Sequence, residues 1–166
     1  MSDIRPSVMI ISSQQFCDRL KLCLLNVSEK LYNKDFRIKL AESASDILNS
    51  SVPHTQVDFV AVVVDTTLPR AIEKCKRDIS LIMPFFVASR LCLINGSCND
   101  CSIESAISLI EFADKFNIPY FNGQIMDKLS CRVTAERILK LASFASGYTT
   151  GLPEIIPTPN DLNLFL

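Results

Sequence analysis

The sequence predicts an α/β domain built on a doubly wound, parallel sheet of five to six strands. Three observations carry that expectation. Short apolar runs at Val8 to Ile11, Val57 to Asp65 and Leu91 to Asn95 read as strands covered on both faces. Longer segments with apolar residues three and four apart separate them, as amphipathic helices do. The two patterns alternate five times, which favours parallel strands joined by right-handed crossovers.

Each element has its own signal. Val8 to Ile11 leads into a helix over roughly residues 14–31, with Phe16, Leu20, Cys23, Leu24, Val27 and Leu31 at helical spacing. Phe36, Ile38 and Leu40 alternate with Arg37 and Lys39, predicting a half-exposed edge strand parallel to the first. Residues 43–56 are polar around Ser51, Val52, Pro53 and His54, and predict a loop with at most a short helix. Val57 to Asp65 is dense in β-branched residues and belongs at the sheet centre. A helix over about 68–83 follows, with Ile72, Cys75, Ile79 and Ile82 on one stripe, and Pro84 bends or ends it. Leu91 to Asn95 is a buried strand closed by Gly96. After a loop at 97–101, Ser102 is placed to cap a helix to about 117, with Glu104 in its first turn and Glu111 and Lys115 four apart. Ile118 to Phe121 is the last strand. A helix over about 131–146 carries Val133, Ile138, Leu141, Ala142 and Ala145, and Gly147 suits its end. The expected strand order is 2-1-3-4-5. Residues 1–147 form the domain, and residues 148–166, with Pro153, Pro157 and Pro159, form a non-helical tail with an apolar tip.

A chain of 166 residues supports one domain with a substantial core. With 48% hydrophobic residues, 21% charged residues and a net charge of −1, it is a soluble protein with no field for gripping nucleic acid. Its seven cysteines follow a polar start without a leader pattern, so reduced thiols in cytosol or nucleus are expected. No apolar run approaches the ~20 residues of a membrane span.

The junction of the first strand and helix is where a nucleotide-binding α/β domain carries its phosphate loop, G-x-x-x-x-G-K-S/T. Its diagnostic positions read Ser12, Cys17, Asp18 and Arg19, and none matches. A carboxylate in place of the Lys turns attraction into repulsion of roughly 4 kcal/mol per charge pair at an effective dielectric near 20. No useful binding of a nucleoside triphosphate is expected, and no cofactor, metal or catalytic residue is assigned. Cys98 and Cys101 form a C-x-x-C, but without a second pair of ligands they read as loop thiols. His54 is the sole histidine and reads as a surface residue. Asp65, at a strand end, has the place of a receiver-domain phosphoacceptor. Ser12 and Ser13 stand where that chemistry wants an acidic pair, and Asn122 and Gly123 where it wants a Lys.

Over residues 8–147 the element order resembles the small GTPases, with each nucleotide motif degraded. The base-reading N-K-x-D stretch falls on Asn95, Gly96, Ser97 and Cys98, and the S-A-K loop on Gln124, Ile125 and Met126. Within that group the chain resembles the centromere protein M family of GTPase-like inner-kinetochore subunits that lack nucleotide motifs. The residues carrying this likeness are Val57 to Val64, the passage from Phe85 and Phe86 to Leu91, Cys92 and Leu93, then Cys101, Ser102 and Ile103, and Leu162, Asn163 and Leu164. The resemblance implies a pseudo-GTPase scaffold in the nucleus, at the centromere and kinetochore. It implies a complex with centromere proteins I, H and K that serves chromosome segregation. A switch protein or enzyme of the same fold, with unusual nucleotide or phosphate chemistry, is the alternative.

Two regions fit a binding role. Leu81 and Phe85 lie off the stripe of Ile79, Ile82 and Phe86 if the helix survives Pro84, and so are candidate partner anchors. If Pro84 bends the chain, both Phe residues can enter the core instead. Leu162, Leu164 and Phe165 at the tail tip either pack on the domain or dock on a partner. Arg5, Lys74, Lys76, Arg77 and Arg90 are scattered positive charges that read as solvated surface or as a complement to an acidic partner.

Overall fold

The computed structural model describes residues 5–32, 36–49, 57–86 and 88–147. Its sheet has five parallel strands, β1 (Ser7–Ile11), β2 (Arg37–Ala41), β3 (Phe59–Val64), β4 (Leu91–Asn95) and β5 (Tyr120–Asn122). They lie in the order β2-β1-β3-β4-β5, as the sequence predicts. Every residue of β1, β3 and β4 is buried, because both faces of the sheet are covered. β2 has one neighbour and stays half-exposed, as its alternating pattern requires.

The helices are α1 (Gln14–Val27), α2 (Ala44–Leu48), α3 (Ala71–Ile82), α4 (Ile103–Lys115) and α5 (Lys128–Ala145). Alternate residues along a strand point to opposite faces, so each strand serves two cores. Val8, Ile10, Phe59, Ala61, Val63, Cys92 and Ile94 pack with α1 and α5. Met9, Ile11, Val60, Val62, Val64, Leu91 and Leu93 pack with α2, α3 and α4.

Side-chain caps fix where helices begin. The Ser102 hydroxyl accepts from the Ser105 N–H at 3.1 Å, as anticipated. Asp127 accepts from the Ser130 N–H at 2.8 Å and so starts α5 three residues earlier than its apolar spacing suggests. Gly147, at φ 73°, ends that helix in the left-handed conformation a glycine adopts without strain.

Four details depart from expectation. α3 starts at Ala71 because Asp65 holds the preceding turn, accepting from the Thr67 N–H at 3.1 Å, with Arg70 left-handed at φ 58°. β5 starts at Tyr120 because Pro119 has no N–H to enter the ladder. Val133 is exposed, since the inward stripe of α5 runs through Cys131, Thr134, Ala135, Ile138, Leu139 and Ala142. Lys115 lies over the Phe116 ring, 5.4 Å from its centroid, on the helix where a pair with Glu111 is expected. Beyond α1, a single π-helical turn, Ser28–Tyr32, carries the winding to the predicted end. His54 and the tail positions Leu162, Leu164 and Phe165 lie outside the described residues.

Candidate functional site

In open doubly wound sheets, ligands bind beyond the carboxyl ends of the strands where the order reverses, here between β1 and β3. Only Ser12 and Ser13 connect β1 to α1. The Ser12 hydroxyl donates to the Val63 carbonyl at 2.6 Å, and its N–H donates to the Ala41 carbonyl at 3.1 Å. Ser13 caps α1, its Oγ accepting from the Phe16 N–H at 3.4 Å. A phosphate loop needs about four residues between its glycines to turn N–H groups onto the anion. Two residues are too few for such a cradle, and the Ser12 N–H is already bonded.

The remaining phosphate-loop positions fall on α1 itself. Cys17 is buried, its thiol within 3.6 Å of the Ser12 carbonyl oxygen and 3.8 Å of Ala41's, and burial pushes its pKa up. Asp18 is exposed and accepts from Gln14 Nε2 at 2.8 Å. Arg19, one residue on, is half-buried. The four positions are strung along a turn and a helix instead of gathered around one point.

The base-reading positions are closed by packing. Asn95 is buried and accepts from the Ser97 N–H at 3.2 Å. A Cβ at Gly96 would stand 2.8 Å from Phe16 Cε2, 2.8 Å from Val63 Cγ1 and 3.0 Å from Ile125 Cγ1. Phe16 and Ile125 are themselves buried, so apolar side chains fill the space beside Gly96 as a wedge, at the position where the small-GTPase likeness puts the Lys of the base-reading motif. Hydrogen bonds lace the loops above it. Ser97 Oγ accepts from the Thr66 N–H at 2.9 Å, Gln124 Oε1 accepts from the Asn99 N–H at 3.0 Å, and Gln124 Nε2 donates to Asp100 at 2.9 Å. Cys98 opens the short turn Cys98–Asp100, and its thiol and that of Cys101 are unpaired with any disulfide partner. Met126 is exposed. This wedge escapes motif reading because its makers are ordinary core residues; the available signal is a glycine at a strand end, facing Phe16 near the start of a helix.

A cleft of about 310 Å³ remains at the β1–β3 switch point, lined among others by Ser12, Gln14, Glu42, Asp65, Lys74 and Asp78. Three carboxylates face one ammonium. Lys74 Nζ donates to buried Asp78 at 2.8 Å and to the Glu42 carbonyl, and Asp78 also accepts from the Ala44 N–H at 2.9 Å. The one cation is therefore committed to holding α3 against α2. Asp65 is nearly buried and serves the turn before α3, where the receiver reading would have it reach a phosphodonor. No group of three or more ligand-type side chains gathers for a metal among the described residues.

The outer helices carry the opposite character. Ile103, Ile107 and Ile110 fall at i, i+4 and i+7 of α4 and are 76%, 48% and 40% exposed. The core-facing residues of that helix are Leu109 and Ala113, with Phe112 and Phe116 half-buried. Of the anchors predicted from sequence, Leu81 is 41% and Phe85 55% exposed, whereas the turn at Pro84 carries Phe86 into the core. Phe85 thus lies off the buried stripe of Ile79, Ile82 and Phe86, as the first alternative has it, although the helix itself ends at Ile82.

The fold defines a class, a small-GTPase-like doubly wound α/β domain with a five-stranded parallel sheet. No protein-family model matches the chain, and no curated protein sequence matches it either.

Proposed function

We propose that this chain is a non-catalytic scaffold on a GTPase-like fold. Its setting is the inner kinetochore of the nucleus, in the manner of centromere protein M, and its partners are centromere proteins I, H and K. The observation that carries the scaffold reading is the row of Ile103, Ile107 and Ile110 along the outside of α4. Single exposed apolar residues are ordinary, but three on one helical face offer a contiguous surface for a partner. Burying an exposed Ile side chain stabilises a complex by about 1.5–3 kcal/mol at most. The filled space around Gly96 supports the non-catalytic part, and the kinetochore setting rests on the sequence resemblance alone.

The test is purification of the tagged chain from its own cells, with mass spectrometry of the proteins retained. Recovery of centromere proteins I, H and K, lost with Ile107→Asp, supports the proposal. Their absence, or low-micromolar binding of magnesium and GTP by calorimetry, overturns it in favour of a switch or enzyme.

A further inference from the structure

A second cleft lies on the opposite side of the sheet, between the end of α1 and the start of α5. It encloses about 280 Å³ and is lined by Cys23, Asn26, Val27, Lys30, Lys128 and Arg132. Three of these six residues are cations and none is a carboxylate, in a chain whose net charge is −1. We propose that this cleft is a binding site for a phosphate monoester, held by Lys30, Lys128 and Arg132. It goes beyond the scaffold reading and does not depend on it.

The neighbouring elements supply the geometry. Cys23, Asn26 and Lys30 follow one another at spacings of three and four along one face of α1 and its extension. Lys30 belongs to the π-helical turn Ser28–Tyr32, a distortion found mostly as isolated turns and frequently at functional sites. Lys128 opens α5, where the helix dipole favours negative charge.

Nearby acids compete weakly. Asp127 is spent on the Ser130 N–H. Glu136 meets Arg132 at 3.5 Å, but both side chains are well exposed, 38% and 55%, a surface pairing that an incoming dianion displaces readily. A carboxylate monoanion would leave most of the positive charge unanswered. A phosphate monoester carries nearly two charges and three acceptor oxygens, which one Arg fork and two Lys ammonium groups turned in from the rim would answer. The Asn26 amide adds a neutral donor at the wall.

Nitrogen-15 NMR titration of the whole chain with inorganic phosphate, phosphoserine, a phosphoserine heptapeptide and its unphosphorylated form tests the site. The expected result is saturable binding of phosphorylated probes, with shifts centred on Cys23, Asn26 and Lys128. Equal affinity for phosphate and phosphopeptide identifies a free small phosphate as the ligand. Peptide affinity higher by about tenfold identifies a phosphorylated protein segment. Lys128→Gln and Arg132→Gln each weaken binding by about tenfold or more without changing the melting temperature. Shifts scattered over the surface, no saturation, or equal binding of the unphosphorylated peptide overturns the proposal. Binding that survives the Lys128→Gln, Arg132→Gln double variant overturns it too.

Discussion

The ring of side chains around Gly96 and the outer face of α4 are built from similar residues and do opposite things. At Gly96, Phe16, Val63 and Ile125 close so tightly that one added carbon would meet two neighbours at 2.8 Å. On α4, three isoleucines stand in solvent. In the first region apolar side chains fill the space beside a glycine; in the second they offer contact that the described residues of the domain do not use. The lesson is that apolar content alone does not separate core from interface. What separates them is whether the same helix has another face that the sheet can take.

The strongest way to break this contrast is to hollow out the first region. Phe16→Ala should lower unfolding free energy by about 3–5 kcal/mol, read from urea denaturation. The cavity it leaves should still bind no GTP, because the β1–α1 connection supplies no N–H cradle. A rise in melting temperature on adding magnesium and GTP to this variant would show that the wedge alone was excluding nucleotide. Gly96→Ala overfills the same place and should cost roughly 1–3 kcal/mol. An unchanged midpoint would mean that Phe16 and Ile125 yield easily, and the contrast with α4 would weaken.

The thiols sharpen the comparison by pH. Burial raises the Cys75 thiol from 9.0 to about 12, and burial with the neighbouring Cys23 raises Cys131 to about 12. In the unfolded chain these thiols ionise near their ordinary values, so above that point the unfolded state binds fewer protons and stability falls as pH rises. The melting temperature should therefore be insensitive to these groups below pH ~9 and decline from there toward ~12, with Cys75→Ala reducing the slope. A disulfide reagent at pH ~8 should label Cys98 and Cys101 well before Cys75 and Cys92. The smallest stability effect belongs to the outer face. Ile107→Asp should change unfolding free energy by about 0.5 kcal/mol or less. A much larger loss would mean that α4 turns this face inward.

Most of the architecture was legible from periodicity. The edge position of β2 followed from its alternation, and the central place of β3 from its unbroken β-branched run. The Ser102 cap and the Gly147 terminus followed from local chemistry. The start of α3 did not, because a carboxylate bonding its own downstream N–H competes with helix, and apolar spacing does not report that. The spacing of Val133 is compatible with the inward stripe, yet small Ala135 and Ala142 let α5 approach α1 on a face turned away from it. The α4 stripe escapes the sequence for the reverse reason. Its three isoleucines have helical spacing suited to a core, and only the packing of Leu109 and Ala113 shows which side the sheet takes. Of the site, the absence of phosphate-holding groups could be read directly, whereas the steric plug required knowing that Phe16, Gly96 and Ile125 meet across about 110 residues of chain.

The two-residue link between β1 and α1 sets a limit on what substitution can do. Residue exchange leaves the backbone path from Ile11 to Gln14 the same length, and the Ser12 N–H stays bonded to β2 whatever its side chain. To build a phosphate loop at this junction, a protein engineer would have to insert chain and evict Phe16 in the same step. Neither change is useful without the other, so stepwise mutation offers no gradual route.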